Sequence, residues 1–134
     1  MVVLLFGTAT AFSQTYVISV DWDNDECGCL DQGNSYYGVK YQIYDTENDI
    51  IVNAGTEVRV DFGTYEVDIE VPEVNAHCAS YLNAKYLVKC RVAVFCDSSP
   101  PGSICMTELK VLPEQTCTDF ANGIGFSFDE FFMN

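Results

Sequence analysis

Apolar and polar residues alternate along most of this chain. The alternation is clearest in segments 16–23, 37–44, 58–62, 65–71, 86–96 and 105–111. A period of two is typical of half-buried β-strands that turn one face toward a hydrophobic core. The residues between these segments are rich in Gly, Asn, Asp, Ser and Pro, and the strongest turn signal is Ser98-Ser-Pro-Pro-Gly-Ser103.

Short strands separated by regular turn signals predict an all-β fold. We expect a single disulfide-bonded antiparallel β-sandwich of Greek-key type, with about seven or eight strands. The segment from Pro72 to Lys85 is expected to be either a helix or a long loop, and residues 76–84 can form one or two helical turns. No stretch has the composition of a linker, so residues 14–134 are predicted to form one domain.

Three consecutive segments resemble a known class of secreted module. They are Val39-Lys-Tyr-Gln-Ile-Tyr-Asp45, Ala54-Gly-Thr-Glu-Val-Arg-Val-Asp61 and Gly63-Thr-Tyr-Glu-Val-Asp-Ile69. The third segment has a glycine, a small residue and a tyrosine followed by alternating apolar residues. This order resembles strands of the prealbumin-like and immunoglobulin-like β-sandwiches of bacterial surface proteins. The resemblance covers residues 37–71 and implies a sandwich. It implies no functional residue, because no isopeptide-forming triad can be placed in this chain.

The first residues have the composition of a secretory signal peptide. An apolar run is followed by small residues, and Ala11 and Ser13 stand at the −3 and −1 positions of a cleavage site before Gln14. A positive start is missing, so we expect residues 1–13 to be a signal peptide truncated at its front. The alternative is a buried N-terminal strand that stays attached. No segment has the roughly 20 apolar residues that span a membrane. With the leader, this predicts a secreted or extracytoplasmic location, which is extracellular, on the cell surface or in the periplasm.

The chain is strongly acidic, since 20 Asp and Glu residues oppose 6 Lys and Arg residues and the net charge is −14. Nucleic acid and anionic membrane are poor partners for such a protein, because their phosphate groups are bound by Lys and Arg. A cation or a basic partner fits the charge better. The simpler explanation is a solvated acidic surface.

Seven cysteines follow the leader, and they predict disulfide bonds formed in an oxidising compartment. They contain no C-x-x-C pair and are accompanied by a single histidine, which disfavours a zinc site and a thiol redox site. Cys96 and Cys105 flank the Pro-Pro-Gly loop and are predicted to form a pair. Closing that loop is worth about 2.5–3 kcal/mol in the chain-entropy model.

The other cysteines are less constrained by their spacing. We expect Cys27 and Cys29 to reach Cys78 and Cys117, and which of these four pairs with which stays open. Cys90 lies in mid-strand among valines. It is left over, either as a buried free thiol or as a partner in an intermolecular bridge.

An acidic segment provides a candidate calcium site. Its carboxylates are those of Asp21, Asp23, Asp25, Glu26 and Asp31, and the first three alternate like the opening positions of a calcium loop. Glu26 and Gln32 stand where an EF-hand has Gly and Glu, so a looser site is expected. A second loop would add Asp45, Glu47 and Asp49. The alternative is a solvated strand end whose charges discourage pairing with other chains.

No arrangement of residues predicts catalysis. His77 is the sole histidine, and its neighbour Cys78 is expected to be bridged, so we predict a non-enzymatic protein. A candidate carbohydrate surface consists of aromatic residues on one strand and near it, although core packing is their commoner use. These residues are Tyr36, Tyr37, Tyr41, Tyr44 and Trp22.

The leading functional hypothesis is an adhesion or surface-assembly role that needs a protein partner or self-assembly. A calcium- or carbohydrate-binding module is the first alternative. A secreted inhibitor or effector that inserts the bridged loop 97–104 into a target is the second. No cofactor other than calcium is expected. The apolar tail 123–133 is either a last strand or a segment that docks on a partner.

Overall fold

The computed structural model describes residues 15–23, 35–95 and 103–133. These three segments contain nine strands and two short helices. The strands are β1 (Val17–Trp22), β2 (Tyr36–Asp45), β3 (Ile50–Asp61), β4 (Glu66–Glu70), β5 (Tyr86–Phe95), β6 (Ser103–Met106), β7 (Lys110–Gln115), β8 (Ile124–Phe128) and β9 (Phe132–Met133). The helices are α1 (Pro72–Ser80) and α2 (Cys117–Ala121).

The strands form two sheets around a shared core. The small sheet has the order β4–β1–β8, and the large sheet has the order β3–β2–β5–β6–β9 with β7 also paired to β5. This confirms the predicted disulfide-bonded all-β sandwich. One pairing departs from the antiparallel prediction, because β8 runs parallel to β1. The chain leaves the large sheet at β7 and crosses through α2, and this crossing lets β8 enter the small sheet in the same direction as β1.

The core is built from the inward half of each alternating strand. The buried residues include Ile18, Val20 and Trp22 of β1, Tyr37, Val39, Tyr41 and Ile43 of β2, Val88, Cys90, Val92 and Val94 of β5, and Ile124, Phe126 and Phe128 of β8. Burying one such side chain stabilises the fold by about 1.5–3 kcal/mol. The residues between them point outward, so the two sheets also present two outer faces.

The apolar tail belongs to the fold itself. β8 pairs with β1 in the small sheet, whereas β9 pairs with β6 in the large sheet. Phe126 and Phe128 are buried. Of the two expectations for this segment, the last strand is the one observed, and the tail joins both sheets.

Two boundaries differ from the sequence-based expectation. The predicted strand 105–111 is interrupted at Thr107, whose buried hydroxyl accepts a hydrogen bond from the Val92 N–H (3.0 Å) while its own N–H donates to the Val92 carbonyl (2.8 Å). The segment is therefore split into β6 and β7. Helix α1 begins earlier than predicted because Pro72 stands in its first turn, where a missing N–H leaves no hydrogen bond unmade.

The disulfide bond between Cys78 of α1 and Cys117 of α2 corrects the expected pairing. Their Cα atoms are 6.1 Å apart, and the expectation that these two cysteines reach Cys27 and Cys29 is wrong. Both helices pack at one end of the core, where the Tyr86 hydroxyl lies 3.1 Å from Cys78 Sγ and 3.9 Å from Cys117 Sγ. Cys27 and Cys29 lie outside the described residues.

Two further cysteines lie within the described residues, and one of them is bonded whereas the other is free. Cys105 is disulfide-bonded, but Cys96 lies outside the described residues, so the Cys96–Cys105 pair stays a prediction. Cys90 is free and has no exposed surface. Burial raises the pKa of Cys90 to about 12, which keeps the thiol protonated at neutral pH. A thiol enclosed in this way cannot reach another chain while the sandwich is intact, and this favours a buried free thiol over an intermolecular bridge.

Candidate functional site

Part of the predicted calcium site falls within the described chain. Asp21 lies on the outer face of β1 and Asp23 directly follows the strand, and both are exposed. Asp25, Glu26 and Asp31 lie outside the described residues. Within the described ranges, no three His, Cys, Asp or Glu side chains are grouped so that they could hold a metal ion. The calcium site therefore stays a prediction.

The loop expected to complete that site lies at the opposite end of the sandwich. Trp22 at the end of β1 packs against Tyr37 near the start of β2, with ring centroids 5.2 Å apart. Asp45 stands eight positions further along β2, which corresponds to roughly 26 Å of extended strand. Carboxylates that share one ion must all contact it. The second loop therefore cannot complete a site at Asp21, and this part of the prediction is wrong.

Asp45 instead organises a buried polar cluster between the β2–β3 turn and α1. Its carboxylate is fully buried and lies 2.7 Å from Nε2 of His77. It also accepts hydrogen bonds from Nδ2 of Asn48 (2.7 Å) and from the backbone N–H groups of residues 47, 48 and 85. Because an ionised carboxylate can only accept, Nε2 of His77 carries the proton.

The ionised form of Asp45 is favoured by these contacts. Burial acts to raise the pKa of Asp45, but the hydrogen bonds from His77, from Asn48 and from the backbone outweigh it. The net effect is a pKa below the ordinary value of 3.8. The carboxylate therefore joins the turn, α1 and the start of β5 while it is charged.

His77 is held as part of this packing. Its ring stacks on Tyr81 with centroids 4.5 Å apart and meets Tyr86 edge-on at 5.7 Å. The neighbouring Cys78 is bonded to Cys117 and is not a free thiol. The disulfide confirms the expectation that Cys78 is bridged, and the observed contacts of His77 fix α1 against the sheet.

The two outer faces of the sandwich carry opposite charges. Four exposed carboxylates lie on the small sheet, where Asp21 of β1 pairs with Glu66 of β4 and Asp68 and Glu70 follow along β4. The outward positions of the large sheet carry Lys40, Arg59, Lys89 and Arg91. Four of the six basic residues of the chain therefore share one face. The acidic residues at outward positions of that face, Glu57 and Asp61, lie on the edge strand β3.

A groove of about 420 Å³ lies on this outer face and is named the basic groove. Its lining residues are Lys40, Tyr41, Gln42, Ala54, Gly55, Lys89, Arg91 and Leu109. Lys40 stands directly opposite Arg91, and Gln42 stands opposite Lys89. This register places the three cationic residues with their Cβ atoms about 5–8 Å apart. Among the residues that the structure describes, none of the three forms an ion pair, and no carboxylate lines the groove.

This grouping of cations runs against what stability alone favours. Like charges directly opposite each other in a sheet are destabilising, and the chain has more than enough carboxylates to neutralise its 6 basic residues. Lys40 also has Glu57 of β3 directly opposite it, whereas no carboxylate stands opposite Lys89 or Arg91 in the described strand pairings. A local arrangement that costs stability is typical of a functional site.

One wall of the basic groove is a β-bulge in β3. Tyr41 pairs with Thr56 and Ile43 pairs with Asn53, so β3 has an extra residue opposite Gln42. Oδ1 of Asn53 accepts hydrogen bonds from the Gly55 N–H (2.8 Å) and from the Thr56 hydroxyl (3.1 Å). Gly55 has a φ of +149°, a conformation that other residues rarely adopt.

Helix α1 supports this wall from the other side of the sheet. Nδ2 of Asn53 donates to the Glu73 carboxylate at 2.7 Å, and the Tyr41 hydroxyl donates to the same oxygen at 3.4 Å. Burial, and secondly the charge of Glu73, raises the pKa of Tyr41. Gln42 Nε2 donates to the Ala54 carbonyl at 3.2 Å and ties the bulge to β2. The groove is therefore preformed by contacts that do not involve its cations.

A second hollow of about 280 Å³ continues the basic groove along β2 and is named the apolar hollow. It shares Gln42, Ala54 and Lys89 with the groove and adds Ile43, Tyr44, Ile51, Asn53 and Leu87. Ile51 is 66% exposed, and Leu109 at the other side of the basic groove is 50% exposed. These two side chains add exposed apolar surface on both sides of the basic groove.

The aromatic residues of the candidate carbohydrate surface do not form one row. Tyr37, Tyr41 and Trp22 face the core, whereas Tyr36 and Tyr44 point outward. Tyr36 stacks on Phe95 with ring centroids 5.0 Å apart, and the Arg59 guanidinium lies 3.9 Å from the centre of the Tyr36 ring. Carbohydrate binding stays a prediction.

A search of protein-family models, of curated proteins and of solved structures finds no match for this chain. The resemblance of residues 37–71 to surface-protein modules therefore stays an interpretation of the strand pattern. No helix in the described part of the chain is long and apolar enough to cross a membrane. Most of the candidate inhibitor loop 97–104 lies outside the described residues.

Sequence reasoning missed the basic groove. The polar positions of β2 and β5 contain Lys40, Gln42, Lys89 and Arg91, and this pattern was the only signal. The signal is incomplete without the pairing of the two strands, which alone brings these residues to one place.

Proposed function

We propose that this chain is a secreted or cell-surface β-sandwich that acts by binding a protein partner and catalyses no reaction. The outer face of the large sheet is the proposed binding surface. The observation that carries the proposal is the separation of charge between the two outer faces. A chain with a net charge of −14 gathers four of its six cations on one face, and none of these four forms an ion pair in the described structure.

Charge separation of this kind suits recognition. Electrostatic complementarity orients a partner and accelerates association. At physiological salt, charges are screened over about 8 Å, so an approaching partner responds to the local face more than to the total charge. An acidic partner surface is thus attracted to the outer face of the large sheet, although the protein as a whole is acidic.

The disulfide bonds support a secreted location. The Cys78–Cys117 bond and the bonded state of Cys105 are typical of oxidising compartments and rare in the cytosol. Mass mapping of the natural protein without reduction tests this point, because it reports the mature N-terminus and every bond. A protein isolated with Cys78 and Cys117 both reduced would argue against secretion.

Photo-crosslinking tests the proposed binding surface. A benzophenone amino acid replaces Gln42 on the outer face of the large sheet or Ser19 on the outer face of the small sheet, two exposed strand positions. Each tagged protein is applied to the surface of the cells that produce it and irradiated. We expect a protein adduct from position 42 and none from position 19. No adduct from position 42, or the same adducts from both positions, would contradict the proposal.

A further inference from the structure

We propose that the basic groove and the apolar hollow together bind an extended acidic segment of a partner protein, with a carboxylate at the cations and a large apolar side chain in the hollow. The proposal rests on the proposed function and specifies the chemistry of the partner. Its basis is the juxtaposition, on one sheet face, of a cationic cluster that forms no ion pair within the described chain and an adjoining apolar cavity.

The cationic cluster matches a carboxylate. Arg91 presents a planar guanidinium that can hold both carboxylate oxygens, and Lys40 and Lys89 add mobile ammonium groups beside it. No carboxylate of the described chain lines the groove, so an incoming anion displaces no internal partner. It also removes the repulsion between Lys40 and Arg91, which stand opposite each other in the sheet.

The spacing of the two cavities matches an extended chain. Lys40 in the basic groove and Tyr44 in the apolar hollow are four residues apart on β2, which corresponds to roughly 13 Å. An extended peptide that lies along β2 places alternate side chains on the same face at the same repeat. An acidic residue over Lys40 and Arg91 therefore puts the side chain four residues away into the hollow lined by Ile51 and Leu87.

The apolar hollow favours a protein segment over an acidic sugar. Ile51, Leu87 and Tyr44 offer aliphatic and aromatic surface next to Lys89, and an aliphatic side chain fills such a cavity better than a hydroxylated ring. The stacked pair of Tyr36 and Phe95, the best platform for a sugar ring on this face, lines neither cavity.

The shape of the site is set before binding. Asn53 holds the bulge through Gly55 and is itself held by Glu73 of α1. A preformed site loses less conformational freedom on binding than a flexible one. The ligand thus meets a rigid wall on β3 and mobile cations on β2 and β5.

A peptide titration tests the inference. The probe is a short blocked peptide of sequence Thr-Glu-Thr-Glu-Thr-Leu-Thr, titrated into the isotopically labelled protein and followed by nuclear magnetic resonance. We expect shifts at Gln42, Ala54 and Lys89, which line both cavities. Replacing both Glu residues of the peptide by Gln is expected to weaken binding about 10-fold or more, and replacing Leu by Ser about 10-fold.

Variants of the protein assign the binding to the cavities. Arg91→Gln and, independently, Lys89→Gln are each expected to weaken binding of the acidic peptide about 10-fold. Arg59→Gln is the matched comparison, because Arg59 lies on the same face outside both cavities, and it should weaken binding clearly less than Arg91→Gln does. The spectrum of each variant verifies that it is folded.

Several results would overturn the inference. Equal binding of the Glu and Gln peptides, or equal effects of Arg59→Gln and Arg91→Gln, would remove the role of the cationic cluster. Free glutamate or inorganic sulfate binding as tightly as the peptide would reduce the site to a simple anion site. A uronic acid oligosaccharide binding more tightly would make the ligand a glycan. A crosslink at position 42 without peptide binding would overturn this inference alone and leave the proposed function standing.

Discussion

Replacing Arg91 by Glu is expected to stabilise the free protein, because Arg91 stands directly opposite Lys40 across β5 and β2. The substitution turns a pair of like charges into a pair of opposite charges. Lys89, two positions away on the same face of β5, gains a favourable neighbour as well. No ion pair of Arg91 is lost within the described structure, since it forms none there.

The magnitude follows from Coulomb's law. Two unit charges roughly 7 Å apart interact by about 0.6 kcal/mol in water, and physiological salt reduces this by about half. Reversing one charge removes a repulsion and adds an attraction, so the change for the Lys40–Arg91 pair is about 0.5–1 kcal/mol, within the range measured for cross-strand pairs. In a chain of this length, such a change raises Tm by about 1–4 °C.

A double-mutant cycle isolates this interaction. Unfolding free energies are measured by urea denaturation for the natural protein, for Lys40→Gln, for Arg91→Glu and for the double variant. Lys40 also faces Glu57 on β3, but the loss of that interaction is the same in both backgrounds and cancels in the cycle. We expect a coupling of about 0.5–1 kcal/mol that shrinks in high salt.

A substitution at Arg59 is the control for the predicted coupling between Lys40 and Arg91. Arg59 faces Gly38 and no basic residue, so Arg59→Glu should leave stability unchanged or lower it. A coupling of zero between positions 40 and 91, or a coupling that salt does not reduce, would refute the argument that Lys40 and Arg91 repel each other in the folded protein. It would also remove the main reason to regard the cationic cluster as functional.

Three further predictions concern groups in the core and at its end. A pKa that is lowered in the folded state contributes stability above the unfolded pKa and loses it as the pH falls through the folded pKa. Asp45→Asn should therefore lower the free energy of unfolding by about 1–3 kcal/mol at neutral pH. It should also make the loss of stability below about pH 4 less steep. Urea midpoints measured between neutral pH and below about pH 4 test both effects, and an unchanged pH slope would contradict the argument. Replacing Cys78 and Cys117 together by Ser opens a bridge with a sequence separation of 39 and should cost about 4 kcal/mol in the chain-entropy model, as judged by denaturation against the natural protein. Cys90 should resist alkylation at pH 8 until the protein is denatured, since burial raises its pKa to about 12; rapid labelling of the native protein, detected by intact mass, would show that the core is open.

The sequence pattern predicted most strands because each buries one face. Residues 86–96 predict β5 (Tyr86–Phe95) closely, and residues 65–71 predict β4 (Glu66–Glu70). The first half of β3 was missed, since the alternation of Val58 and Val60 does not continue into Val52, Asn53 and Ala54. The bulges that shift the register there also exchange inward and outward positions. The apolar–polar alternation therefore does not predict the bulged part of β3, and this part forms the wall of the basic groove.

Contacts between distant segments could not be predicted in the same way. Cys78 and Cys117 lie on two separate short helices, and their pairing depends on how both helices pack at the end of the core. Lys40 and Arg91 each appear in the sequence as an ordinary outward residue of its own strand. Their opposition needs the register between β2 and β5, and no local signal contains that register.

The register between β2 and β5 also prevents Lys40 and Arg91 from moving apart within the sheet. Val39 pairs with Val92 and Tyr41 pairs with Cys90, and all four side chains are buried. Sliding β2 by one residue to separate Lys40 from Arg91 would expose these core residues, at a cost of about 1.5–3 kcal/mol for each side chain. The repulsion amounts to only about 0.3–0.6 kcal/mol, so the core holds the cations together. In the binding mode proposed above, an acidic segment bound from outside neutralises the cationic cluster, and an anionic ligand should therefore raise the Tm of the natural protein more than that of Arg91→Glu.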